Sequence, residues 1–273
     1  MTTNFKSHDS RERCRQKRLR ILDMSQKVPA LHIAPAFSCI EMVDAVYFGA
    51  MDPRSEPSDV FIMSKGHGYL SQLVTLEGLG IVNTADVDAY CTRGGLLGAH
   101  PDVEIPGIAA ATGSLGHGLG MGLGLAIALR NDATQDNARL PTVYVLLSDG
   151  ELQEGSTWEA VLMAASLNVS NLVALVDNND FQSLGRTSET HPNLYPITNK
   201  FETFGWEADE EDGHDTASLV RRLTGRTSER PYVLVGRTTK GKGVSFMENV
   251  PIWHYRSPSS DEYQTAVEEI NRG

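Results

Sequence analysis

The chain has 273 residues, 40% of them apolar and 7% aromatic, and a formal net charge of −11. That acidic balance argues against nucleic acid as the main partner, because phosphate binding needs a basic surface. The length suits one large α/β domain, 1–273. With no apolar leader and no run approaching a bilayer's thickness, neither a signal peptide nor a membrane span is expected.

The first element in chain order is a helical segment at about 9–27. It carries Arg11, Arg13, Arg15, Lys17, Arg18 and Arg20 ahead of Ile21, Leu22 and Met24. Such a run could be a nucleic-acid arm, but the apolar residues that follow favour a solvated helix face. A helix is next expected over Ser38 to Phe48, opened by a capping-box pattern at Ser38 and Glu41. Short runs of Val, Ile and Leu predict buried strands at Asp59–Met63, Val143–Leu147, Leu172–Val176 and Tyr232–Val235. Between and after them, helices are expected over Ser156 to Leu167, with Ser156 and Glu159 as a capping pair, over Thr216 to Leu223 and over Asp261 to Ile270. Strands alternating with helices imply a mostly parallel sheet covered by helices on both faces. Such sheets bind ligands at the carboxyl ends of their strands.

Gly116, Gly118, Gly120, Gly122 and Gly124 alternate, and no window gives the Gly-x-Gly-x-x-Gly of a nicotinamide site. Small residues in this run let a helix pack closely or let a cofactor ring meet the backbone. Cys14, Cys39 and Cys91 are odd in number, far apart and free of any Cys-x-x-Cys pair, which fits a reducing cytoplasm. No two histidines have zinc spacing. His8, His191 and His214 read as surface or satisfied residues.

Two strands end in oxygen ligands. Val143–Leu147 runs into Ser148-Asp149-Gly150, and Leu172–Val176 into Asp177-Asn178-Asn179. If these strands are neighbours, Asp149 and Asn179 meet at one sheet edge. There a carboxylate and an amide oxygen suit a hard cation such as Mg²⁺, which fills its remaining positions with phosphate and water. Gly150 lets a phosphate approach, and the helix start near Ser156 favours an anion. Two ordinary polar turns would look the same.

The surrounding sequence bears on that choice. Ser148-Asp149-Gly150-Glu151-Leu152-Gln153-Glu154-Gly155, continued through Trp158-Glu159-Ala160 to Asn179, resembles the thiamine-diphosphate motif of transketolases. Ser64-Lys65-Gly66-His67-Gly68, Gly98-Ala99-His100-Pro101, Thr112-Gly113-Ser114-Leu115-Gly116-His117-Gly118, Lys240-Gly241-Lys242-Gly243 and Trp253-His254 resemble further family segments. The resemblance covers about residues 10 to 260. It implies that Asp149, Asn179 and the carbonyl of Phe181 hold Mg²⁺, or Ca²⁺ or Mn²⁺, against the diphosphate of thiamine diphosphate. His67, Gly113, Leu115, Gly150, Glu151, Asn179, Lys240 and His254 would contact the cofactor, with His67 and His254 near its diphosphate. His32 and His100 would face sugar hydroxyls. Glu154 would meet carboxylates of a neighbouring chain near the cofactor's pyrimidine, or simply favour a helix N-terminus.

Three positions depart from the family. Ser148 replaces a Gly, which can lower cofactor affinity. Ile33-Ala34-Pro35-Ala36 follows His32 where small polar residues are usual, and Tyr255 replaces a Gly. Single-chain transketolases continue into a pyrimidine-binding domain, for which the resemblance finds no counterpart up to Gly273, so that domain is expected on a second chain. The chain therefore resembles the N-terminal subunit of a split transketolase. That implies an α₂β₂ assembly with a C-terminal subunit, and transfer of a two-carbon ketol unit from a ketose (phosphate) to an aldehyde. Rival readings are an acyloin synthase or 2-oxo-acid-using α subunit, and a non-catalytic partner subunit.

Overall fold

Side chains that alternate between two apolar layers define the central sheet. A computed structural model of the chain describes residues 9–51, 56–136, 138–183 and 185–273; His8 lies outside them. In chain order the elements are α1 (Ser10–Ser25), α2 (Ile33–Ala45, continued by a π-turn at Val46–Ala50), β1 (Val60–Met63), α3 (Tyr69–Gly78), α4 (Thr84–Asp88), α5 (Gly118–Asp136), β2 (Val143–Ser148), α6 (Gly155–Ser166), β3 (Leu172–Asn178), β4 (Phe181–Gln182), β5 (Gly185–Arg186), α7 (Thr187–Thr190), α8 (Ile197–Thr203), β6 (Glu207–Asp212), α9 (Thr216–Thr224), β7 (Tyr232–Arg237) and α10 (Ser260–Arg272). Five strands form a parallel sheet in the order β1-β2-β3-β7-β6. Tyr144, Leu146, Val173, Leu175 and Leu234 point into a core shared with α1, α2 and α3. Val143, Val145, Leu147, Ala174, Val176, Val233 and Val235 point into the opposite core, under α5, α6 and α8. This is the period-2 alternation of a sheet buried on both faces.

Most of the basic run of α1 is not solvated, although Arg11 is exposed and Arg15 half-buried. Arg13, Lys17, Arg18 and Arg20 are all buried. Arg13 and Lys17 share Asp44, each at 2.6 Å, while Arg18 meets Glu41 at 2.7 Å and Arg20 meets Glu77 at 2.8 Å. Charge density along one helix could not reveal that the matching acids lie on α2 and α3. Buried charges persist only when paired in this way.

The helix α2 also departs from expectation. It begins at Ile33, before Ser38, because Pro35 is tolerated in a first turn. Ser38 is therefore interior, and its hydroxyl donates to Asp177 at 2.7 Å instead of capping. Together with its π-turn the stretch Ile33–Ala50 has the length and mean hydropathy, 1.3, of a membrane span, but 83% of it is buried inside the fold. The second expected capping pair fails too. Glu154 is the N-cap of α6 and Ser156 donates to the Gly116 carbonyl at 2.8 Å. A true capping box opens α10 instead, between Ser259 and Glu262.

All but Gly116 of the alternating glycines lie in α5, where Gly122 abuts Val145 of β2. Gly120 and Gly124 face open space, and Leu119 beside them is buried. The edge strand β6, Glu-Ala-Asp-Glu-Glu-Asp, has no apolar run to announce it in the sequence. Its acids pair with Arg222 and Arg237.

Candidate active site

The carboxyl ends of β2, β3 and β7 lie side by side, with Ser148 opposite Asp177 and Asp177 opposite Gly236. Asp177 is fully buried and takes hydrogen bonds from Ser38 (2.7 Å), Lys65, Thr238 and Asn179 (3.3 Å). It is thus consumed by the fold. Lys65, also fully buried, is its counter-charge. The sequence pattern singles out neither, although Lys65 stands in the quoted Ser-Lys-Gly-His segment.

Asp149 differs. It is 0% exposed, and among the described residues it forms no ion pair. One oxygen accepts from the Gly150 amide at 2.9 Å, and the Tyr195 hydroxyl lies 3.4 Å from the other. Burial, reinforced by the charge of Asp177, raises its pKa to about 7. Asn179 turns its amide nitrogen to Ser38 and Asp177, and its oxygen accepts from the Phe181 amide at 3.0 Å. A Cβ on Gly150 would fall 2.9 Å from Gln182 and 3.9 Å from the Phe181 carbonyl. The turns that carry Asp149, Asn179 and Phe181 thus converge on one strand end.

Lys240 is the complementary case. It is 1% exposed, donates to the Ser183 carbonyl and to His254 Nδ1, each at 3.0 Å, and has no carboxylate partner among the described residues. Burial, followed by repulsion from Lys65, lowers its pKa to about 8. As an acceptor, His254 Nδ1 leaves the ring proton on Nε2.

His32 is the hub of the histidines. Its ring lies 6.2 Å from His67, 5.8 Å from His100 and 5.4 Å from His254, and His67 and His254 are 5.5 Å apart. Burial, aided by neighbouring cations and imidazoles, lowers His32 to about 4 and His254 to about 3, and pushes His67 well below its usual range. All three are neutral at pH 7. No hydrogen bond to the protein occupies the imidazoles of His32, His67 or His100 among the described residues. By contrast His214 is satisfied, between Glu41 and the Thr239 amide, each at 2.9 Å, and His191 is exposed.

The loop over the strand ends is held from below. Glu151, fully buried, accepts from the Ser64 hydroxyl (2.5 Å), the Gly116 amide (2.9 Å) and the Ser148 amide (3.4 Å). It supports the loop rather than facing a ligand. Gly113 has φ +132°, and a Cβ there would fall 2.7 Å from the His100 ring, so only glycine fits. Leu115 is half-buried on this loop, and Glu154 is exposed beside Gly116. Ser148 does not merely replace a glycine, since its hydroxyl accepts from the Glu151 amide at 3.2 Å. Ser148→Gly is expected to lower stability by about 1 kcal/mol, read as a lower thermal midpoint. An unchanged midpoint would show that the hydroxyl contributes nothing.

A buried carboxyl with no cation partner and a buried ammonium with no carboxylate partner among the described residues, in a site that also gathers His32, His67 and His254, fit a metal and a diphosphate. Metal binding needs Asp149 ionised, and its pKa of about 7 in the metal-free chain sets the pH window. As pH falls below 7 a proton occupies the carboxylate, and Mg²⁺-dependent affinity should drop about tenfold per unit. Calorimetric titrations from pH 8 to 6 check this; a flat profile would remove Asp149 from the metal site.

The fold, a parallel sheet with polar groups gathered at its strand ends, is that of an α/β ligand-binding domain. Residues 12–267 match the family model described as the transketolase thiamine-diphosphate-binding domain, and the chain belongs to that family. It is 37% identical to one of the subunits of the apulose-4-phosphate transketolase of Phocaeicola vulgatus, covering 94% of this chain and 92% of that one. It is 32% identical to the 6-deoxy-6-sulfo-D-fructose transketolase subunit SqwG of a Clostridium species, covering 88% of each. The Campylobacter jejuni transketolase structure shares the fold, with a TM-score of 0.86 at 23% identity over 96% of this chain. This chain spans 42% of the length of that one.

Proposed function

We propose that the chain is the N-terminal subunit of a two-component transketolase that moves a two-carbon ketol unit from a phosphorylated ketose to an aldehyde. The observation that carries this is the unpaired buried couple of Asp149 and Lys240 beneath His32, His67 and His254. Asp149, Asn179 and the Phe181 carbonyl would hold Mg²⁺, with Ca²⁺ or Mn²⁺ as substitutes, and Lys240 would face the diphosphate. When bound, thiamine diphosphate supplies the nucleophilic carbon that accepts the ketol unit. Neutral imidazoles suit the sugar end: His32 and His100 each offer one donor and one acceptor to hydroxyls without trapping a counter-ion. Lys240 fixes the His254 tautomer, so its Nε2–H is the donating edge.

Relatives of similar length are named as single subunits of transketolases, which supports a second chain. We take that chain to carry the pyrimidine-binding domain in an α₂β₂ assembly. Met121 on α5, Leu162 and Met163 on α6 and Leu167 just after it are 39–53% exposed, apolar side chains that support such an assembly. Exposed Glu154 at the start of α6 would then approach the partner. The three free cysteines support a cytoplasmic setting.

The test is aldehyde release from ketose phosphates, with thiamine diphosphate and Mg²⁺, by the chain alone and with its second chain. Negligible turnover alone and turnover with the partner are expected. Robust turnover by the chain alone would overturn the two-component reading. Use of pyruvate in place of ketose phosphates would overturn the ketol-transfer reading.

A further inference from the structure

Resting on the ketol-transfer reading, we infer that Tyr255 is a specificity-determining residue, an aromatic wall that narrows the sugar end of the site. Its ring centroid lies 4.5 Å from that of His32, tilted by 45°. His32 in turn lies 5.4–6.2 Å from His254, His100 and His67, so Tyr255 packs on the imidazole that joins the cluster. The ring is 53% exposed, and its hydroxyl has no hydrogen-bond partner among the described residues. It therefore faces open space beside groups assigned to sugar hydroxyls.

The segment is built to hold it there. Trp253, 3% exposed, packs on Phe246 at 5.2 Å. His254 is fixed by Lys240. Arg256 stacks over Trp253 at 4.1 Å, reaches both oxygens of Glu262 at 2.8 Å, and donates its amide to the Leu31 carbonyl at 3.1 Å. Both neighbours of Tyr255 are thus anchored, and the last bond ties the segment to the residue before His32. Ile252, in the same turn, is 59% exposed.

A rigid ring discriminates in two ways. It fills volume against His32, and its apolar ring face strips water from sugar hydroxyls without offering hydrogen bonds in return. Sugars with more hydroxylated carbons meet more of this wall and are selected against; shorter ones escape it.

The experiment compares kcat/KM for a five-carbon and a seven-carbon ketose phosphate, using the chain with its partner subunit. Tyr255→Gly is expected to shift the ratio about tenfold toward the longer donor. Tyr255→Phe, which keeps the ring, is expected to keep the wild-type ratio. Mg²⁺-dependent cofactor affinity should stay within about twofold in both. A ratio unchanged in Tyr255→Gly would overturn the proposal. So would an equal shift in Tyr255→Phe, or a fall in cofactor affinity that tracks the ratio, since the residue would then act through His32 or His254. A wild-type complex that turns over no ketose phosphate would overturn the functional reading and this proposal together. Turnover with an immovable ratio would overturn the proposal alone.

Discussion

Asp149→Ala should weaken Mg²⁺-dependent binding of thiamine diphosphate by at least about 30- to 150-fold, or about 2–3 kcal/mol. The carboxylate sits at the end of β2, wholly buried, with no ion-pair partner among the described residues. A fold gains little from an isolated buried charge, which normally costs free energy unless paired. The same substitution should therefore leave the metal-free chain's thermal midpoint unchanged or raised. The two signs together separate a ligand role from a structural one. Calorimetric titration of cofactor with Mg²⁺, alongside a thermal melt, reads both. Unchanged affinity would remove the metal assignment, and a large loss of midpoint would make Asp149 a structural residue.

Lys65→Met is expected to behave in the opposite way. Lys65 and Asp177 are both 0% exposed, and Lys65 is the sole ion-pair partner of Asp177 among the described residues. Removing one partner of a buried pair leaves an uncompensated charge and typically costs about 3–5 kcal/mol. Here the stranded Asp177 would also lie close to Asp149, whose pKa it already raises. Urea denaturation should show the loss, and Lys65→Met combined with Asp177→Asn should recover part of it, because Ser38 and Thr238 still have an acceptor. A loss under about 1 kcal/mol in the single variant would show that the pair does not hold the strand ends together.

The sequence makes some elements plain and hides others for physical reasons. Strands β1, β2, β3 and β7 are legible because buried parallel strands are apolar throughout. Strand β6 is not, because it is an edge whose side chains meet arginines and solvent rather than the core. The ends of β2 and β3 announce Asp149 and Asn179, and the imidazoles come from the family resemblance. Sequence pattern cannot distinguish Asp177, which is paired with Lys65, from Asp149, which has no ion-pair partner among the described residues. Nor can it reveal that Glu151 props up the loop, or that the basic face of α1 is buried. Each of these depends on partners from about 23 to more than 100 residues away in the chain.

The acidic strand β6 also limits how the chain can misassemble. A sheet edge is a template for strand addition, and aggregation usually starts there. Here that edge presents Glu207, Asp209, Glu210, Glu211 and Asp212, so a second copy docking strand to strand would bring like charges into register. At the other edge, β1 is only four residues long. Chains produced without their partner should thus cluster through the greasy flank of α5 and α6. Such clusters would be amorphous and reversible rather than fibrillar, and adding the partner subunit should dissolve them.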